Sequence, residues 1–172
     1  MRVRTSRLPL LFLAPAIGLV CFSGCDQSPP AKTSQTSVDP RASPGNRYDL
    51  TKDEARGGHT LSKHVGRTDE ELGERLRREK NIAAASTWTD RATAEQIVGE
   101  ALRTERGRVE TWMRRPYPRA NLALHYDAGR PIGRSLRRGE DRVVNARETV
   151  IVLRADRPDS FYVLTAYPEA RE

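Results

Sequence analysis

The chain has 172 residues, 31% of them charged and 37% hydrophobic, with 30 basic against 23 acidic side chains and only two cysteines. That length holds one domain of ordinary size plus an appendage and excludes two large cores. Six basic and two acidic residues precede Asp49, so 24 basic residues face 21 acidic ones from there onward, and the net charge of +7 overstates the charge of the carboxyl-terminal part.

The first segment reads as a bacterial export signal. Arg2, Arg4 and Arg7 come before an apolar run from Leu8 to Phe22, which is interrupted by Pro9 and Pro15 and followed by the small residues Ser23 and Gly24. A spanning helix needs about 20 apolar residues, so this shorter run fits a processed signal over residues 1–24 better than a permanent anchor. Phe22-Ser23-Gly24-Cys25 resembles the lipobox of bacterial lipoproteins, which implies a lipid on Cys25 as the sole membrane attachment and residence in the cell envelope. Secretion with a free Cys25 is the alternative. Residues 25–48 are rich in Pro, Ser, Thr, Ala and Gln and read as a tether, because they cannot bury enough surface to offset ordering entropy. Cys21 would leave with the signal, so the domain expected over residues 49–172 has no disulfide and no thiol nucleophile available.

Within that domain, Thr60 to Val65 is a short helical stretch ending at Gly66. Thr68 with Glu71 forms a capping box opening a helix through about Lys80, with Leu72 and Leu76 on one face. A further helix begins near Thr89 or Asp90, with Ala94, Ile97, Val98, Ala101 and Leu102 at helical spacing, and another short one covers Val109 to Met113. After Pro118 the pattern turns to strands: Asn121 to Tyr126, Ile132 to Leu136, Glu148 to Leu153 and Phe161 to Tyr167, with turns at Asp127-Ala128-Gly129 and over Asp156 to Asp159. Helices followed by consecutive antiparallel strands indicate an α+β domain, with amino-terminal helices packed on a curved antiparallel sheet, and argue against alternating βαβ units.

Twelve arginines face five acids between Arg103 and Arg147, which suits a polyanion partner but equally a solvated basic surface. The three histidines are His59, His64 and His125. His59 and His64 stand five apart with no carboxylate in the metalloprotease position between them, so no metal site is expected. Taken singly, each histidine reads as a cap or surface residue before it reads as a catalyst. Trp88 lies in an apolar block and reads as core, with stacking on a base as the functional alternative. Lys63 is either a phosphate contact or part of a solvated helix face.

Four blocks then occur in order. They are Gly57-Gly58-His59-Thr60-Leu61-x-Lys63-His64-Val65-Gly66-x-Thr68, then Leu72-x-x-Arg75-Leu76, then Ala85-Ser86-Thr87-Trp88-x-Asp90 with Ala94-Glu95, and Tyr162-Val163-Leu164-Thr165-Ala166-Tyr167-Pro168. Together they resemble the bacterial CdiA C-terminal RNase A-like toxin domain over nearly all of residues 49–172. The resemblance implies an RNase A-like fold without disulfides, ribonuclease activity without a cofactor, an RNA substrate and a cognate immunity protein. It implies a catalytic set at His64, Arg75, Thr165 and Tyr167; His59, Lys63 and Trp88 are the candidate substrate contacts read from the residues themselves. Such a set cleaves RNA by deprotonating the 2′-hydroxyl, which attacks phosphorus and leaves a 2′,3′-cyclic phosphate. A neutral imidazole suits the base and its protonated form the acid, and Arg75 suits the developing charge on the nonbridging oxygens. The second acid/base group is open between His59 and His125.

The placement has a geometric requirement. Eleven residues on one unbroken helix would separate His64 and Arg75 by about 16 Å, so the chain must bend, and Gly66 with the Thr68 cap supplies the break. On the last strand, Thr165 and Tyr167 are expected to face one side together with Val163, away from Leu164 and Ala166. A catalytically idle envelope lipoprotein using the same fold to bind RNA, another polyanion or a protein is the competing function class.

Overall fold

The structure, a computed structural model, describes residues 47–170. The export signal, the lipidation site at Cys25 and nearly all of the tether lie outside the described residues. Tyr48, assigned to the tether by composition, belongs to the fold: its backbone N–H donates to Glu95 O at 3.2 Å and its ring packs against the main core.

The elements run α1 (Leu50–Glu54), α2 (Thr60–His64), α3 (Asp69–Arg78), β1 (Ala84–Trp88), α4 (Arg91–Thr104), α5 (Arg106–Met113), β2 (Leu122–Asp127), β3 (Gly133–Arg137), β4 (Val144–Ala146), β5 (Glu148–Arg157) and β6 (Ser160–Glu169). The α+β class and the antiparallel pairing hold. Two corrections apply to the expected order. A strand, β1, interrupts the helices, and the strands form two three-stranded sheets, β1-β3-β4 and β2-β5-β6, in place of one. β1 escapes the period-two pattern because four of its five residues are buried, Ser86 and Thr87 among them. The two short elements α1 and β4 were also unanticipated.

Local chemistry explains the helices. Thr68 Oγ1 accepts from Glu71 N at 3.2 Å while Glu71 Oε2 accepts from Thr68 N at 2.8 Å, completing the capping box that starts α3. Asp90 caps α4 through Thr93 N at 2.7 Å. Each such cap contributes about 1 kcal/mol. Arg138 on the far side of β3 donates to the carbonyls of Leu76, Glu79 and Ile82, closing the carboxyl end of α3. That arginine belongs to the basic stretch, as do Arg134, paired with Asp69, and Arg119, which donates to Pro158 O and lies over the Trp112 ring. Much of the basic segment therefore fastens the fold.

The main core joins Ala94, Ile97, Val98 and Ala101 of α4 and Val109 and Trp112 of α5 to Leu124, Ile151, Leu153, Val163 and Ala166 on one face of β2-β5-β6. Burying each large aliphatic side chain of this kind stabilises by roughly 1.5–3 kcal/mol. A smaller core sets Leu72 and Leu76 of α3 on Ala85 and Leu136 of the other sheet.

One irregularity decides which way β6 presents its side chains. Val152 pairs with Thr165 but Leu153 pairs with Val163, leaving Leu164 as an extra residue in a bulge. The bulge shifts the alternation by one. Val163 and Ala166, three apart, both enter the core, and Thr165 and Tyr167 share the opposite face. The expectation that Val163 would lie beside them is thus corrected.

Candidate active site

The outer edge of β6 receives the amino-terminal helices. His59 N–H donates to Leu164 O at 3.0 Å, Ala166 N–H donates to Thr60 Oγ1 at 2.8 Å, and the Trp88 indole N–H donates to Ala166 O at 2.9 Å. Gly58 is required here, since a Cβ would stand 2.7 Å from Val163 O and 2.8 Å from Asp53 O. This docking fixes α2 across the strand that carries Thr165 and Tyr167. Its last residue, His64, lies with its ring 5.4 Å from the Tyr167 ring at 31°.

The required bend is present. Gly66 has φ of +71°, a left-handed conformation natural to glycine. The turn is pinned by Arg67 N–H donating to Thr87 Oγ1 at 3.1 Å and by a bridge between Val65 and Trp88. α3 thereby returns Arg75 to the neighbourhood of His64, close enough for its charge to act on the imidazole. Arg75 Nε is held by Glu79 Oε2 at 3.2 Å, an i,i+4 pair.

His64 is only 6% exposed. Its Nδ1 lies 3.3 Å from Ser86 O, and because a carbonyl can only accept, Nδ1 carries the proton and Nε2 is left with its lone pair. Burial pushes the imidazole down from 6.5 to about 4, the Arg75 charge pushes the same way, and the Ser86 carbonyl resists. The imidazole is thus neutral near pH 7, which suits a base and disfavours the additional role of proton donor. Burial raises the Tyr167 hydroxyl above its ordinary value, with the Glu169 carboxylate adding to the effect, so Tyr167 keeps its proton. Thr165 Oγ1 is shielded and has no hydrogen-bond partner among the described residues. Such a group costs stability unless a partner arrives.

The remaining sequence candidates divide. Lys63 is exposed and lines, with Arg75, Arg67, Arg78, Glu71 and Glu79, a groove of about 270 Å³ along α2 and α3. His59 stands at the start of α2 but makes no side-chain cap; Glu54 Oε1 accepts from Leu61 N at 2.9 Å in its place. Burial lowers the His59 imidazole, with Lys63 pushing the same way. Trp88 is 1% exposed with its indole N–H bonded into β6, so its assignment as a base-stacking contact is corrected: it is core. His125 lies two strands from β6 in register with Val150 and Tyr167, with Nδ1 3.9 Å from Glu169 Oε2. Ser86 was missed as a site residue because its contribution to His64 is a backbone carbonyl, which side-chain identity does not report.

An α+β domain that buries an imidazole against a tyrosine ring and within the field of an arginine, with two antiparallel sheets and no cysteine among its described residues, has the make-up of a disulfide-free RNase A-like domain. The family model described as the bacterial CdiA-CT RNAse A domain matches residues 58–168, and the chain belongs to that family of ribonuclease-type toxin domains. A solved structure, the CdiA-CT/CdiI complex from Y. kristensenii, is similar to it at 30% identity and a TM-score of 0.59, over 66% of this chain and 100% of that chain. A search of curated proteins gave no match.

Proposed function

We propose that the domain is a metal-independent endoribonuclease that cleaves RNA by transphosphorylation from the 2′-hydroxyl. The observation that carries this reading is His64, neutral, with Nδ1–H on Ser86 O and Nε2 available as base beside Arg75 and Tyr167. In the proposed step, Nε2 takes the 2′-hydroxyl proton, O2′ forms a bond to phosphorus, and the P–O5′ bond breaks. The departing 5′-oxygen takes its proton from the Tyr167 hydroxyl, which the His64 imidazolium later restores through solvent. Arg75 and Lys63 hold the phosphate, and Thr165 Oγ1 donates to a nonbridging oxygen. His59 contacts the RNA from the head of α2.

The product is a 2′,3′-cyclic phosphate. We further infer that Cys25 carries a lipid that holds the domain in the cell envelope, on the strength of the Phe22-Ser23-Gly24-Cys25 motif, and that a cognate immunity protein binds the domain. The CdiI bound in the Y. kristensenii structure supports a dedicated protein partner. The test is incubation of RNA with a soluble fragment beginning at residue 47, in EDTA. Expected are fragments ending in cyclic phosphate, lost in His64→Ala; uncut RNA with the parent, or undiminished cutting by the variant, removes the mechanism. Metabolic lipid labelling that persists in Cys25→Ser removes the anchor.

A further inference from the structure

The segment from Arg103 to Arg119 holds six arginines against two glutamates and no lysine. Its arginines do different things. Arg119 fastens the fold through Pro158 O, Met113 and the Trp112 ring. Arg106 and Arg108 pair in the open with Glu110 at 2.7 Å and Glu105 at 3.0 Å, and exposed pairs of this kind are weak. Arg115 is exposed, and its guanidinium makes no hydrogen bond or ion pair among the described residues.

Arg115 borders a groove of about 570 Å³ between α5 and the start of β2. Trp112 and Leu122 give it an apolar floor, and Arg108 stands on its other side, where the guanidinium reaches Ala123 O of β2 at 3.5 Å. Two residues beyond Arg115, at most about 7 Å along the chain, Tyr117 is 47% exposed, the one large apolar side chain left open among the described residues. Its hydroxyl meets Asp156 O only at 3.3 Å, a long contact for a hydroxyl donor. An open aromatic ring and an apolar slot set among arginines form the combination that holds single-stranded nucleic acid, because bases stack on the rings while guanidinium groups take the phosphates. Arginine suits that forked contact better than lysine.

The groove stands apart from His64. Leu122 pairs with Leu153 and so lies level with Val163, whereas Tyr167 is level with His125, three residues further along β2. Within the sheet the separation is thus about 10 Å across two strand spacings and about 10 Å along the strand. α5 also covers the face that carries Leu124 and Val163, opposite to that of Tyr167. β2 is the outer strand of its sheet, so a bound chain can pass around it from one face to the other.

We propose that this groove, with Arg115 and Tyr117, is a second RNA-binding surface that holds the single strand flanking the cleaved bond and so favours long substrates over short ones. The proposal rests on the ribonuclease reading above for the identity of the polyanion.

The test uses the full-length chain with Tyr117→Leu and Arg115→Gln, which remove the ring and the charge, and with Tyr117→Phe and Arg115→Lys, which keep them. Both positions are exposed, so all four variants should melt with the parent. The first readout is kcat and KM on a dinucleotide and on a single-stranded RNA of about twenty nucleotides. Tyr117→Leu and Arg115→Gln are each expected to raise KM for the long RNA about tenfold at unchanged kcat, and to leave the dinucleotide untouched; the two conservative variants should match the parent. The second readout is fluorescence anisotropy with an equally long oligonucleotide of 2′-O-methyl riboses, which O2′ attack cannot cut. Affinity should fall about tenfold in the same two variants, and Arg115→Gln should reduce the slope of log affinity against log salt by about 0.7. Unchanged KM and affinity in both variants overturn the proposal, as does an equal loss on the dinucleotide. Loss of binding to anionic phospholipid vesicles with oligonucleotide affinity intact would make the surface a membrane contact and overturn it too. A parent that cuts no RNA, yet loses oligonucleotide affinity in these variants, would overturn the mechanism above and leave the surface standing.

Discussion

The imidazole of His64 links the site to the stability of the whole domain, and the size of that link can be worked out. In the unfolded chain the group titrates near 6.5, whereas burial holds it at about 4 in the fold. Below pH 6.5 the unfolded chain therefore binds a proton that the folded domain does not, and stability falls as pH drops from 6.5 toward 4. With 1.36 kcal/mol per pH unit of difference, the loss from this one group is about 2 kcal/mol at pH 5 and about 3 kcal/mol at pH 4. Other groups titrate over the same range, so the comparison is with His64→Asn, whose side-chain amide can still donate to Ser86 O but does not titrate. Urea unfolding of both proteins at pH 7, 5 and 4 should show the parent losing about 2 and then about 3 kcal/mol more than the variant. Equal losses in the two proteins would refute the buried, neutral imidazole and with it the assignment of His64 as base. The same depression places the acid limb of kcat/KM for the free enzyme near pH 4 and not near 6.5.

Arg75→Ala is expected to lower kcat by about 10²–10³, while Glu79→Gln, which loosens the Arg75 Nε contact at 3.2 Å, should act mainly through KM; an Arg75→Ala enzyme with parental kcat would remove the phosphate-stabilising role. Thr165→Val deletes a shielded hydroxyl that has no partner among the described residues, so urea unfolding should show it within about 1 kcal/mol of the parent or more stable. Single-turnover cleavage by that variant should nonetheless slow at least tenfold, and an unchanged rate would make the residue merely structural. Trp88→Phe removes the indole donor to Ala166 O and part of a filled core, which should cost about 2–4 kcal/mol by chemical denaturation; a near-neutral result would contradict its assignment to the core.

The order of α2, α3 and α4 was legible because their signals are local. The Thr68 and Glu71 pair, the Asp90 cap and the spacing of Leu72 and Leu76 lie within a few residues of the contacts they make. The break at Gly66 was legible for the same reason: His64 and Arg75 could not meet on one helix, and a glycine with φ of +71° solves the problem in three residues. The candidate residues of the site are named from identities carried in four blocks. Their environment was not legible, because Ser86 is 22 residues from His64 and acts through a carbonyl common to every residue type.

Other features depended on long-range contact. β1 is a strand because β3, some fifty residues later, hydrogen-bonds to it, and its buried serine and threonine hide any alternation. The bulge at Leu164 reverses the expected side of Val163 relative to Thr165, since pairing with β5 and docking of α2 on Leu164 O both act on that one residue. Sequence by itself determined the capping box at Thr68 and the disulfide-free α+β class, both of which follow from side-chain chemistry or short-range periodicity. Only the tertiary structure decided that there are two sheets, that Trp88 is core, that Glu54 and not His59 caps α2, and that His64 is dry enough to stay neutral, because each of these depends on which distant backbone excludes water from it.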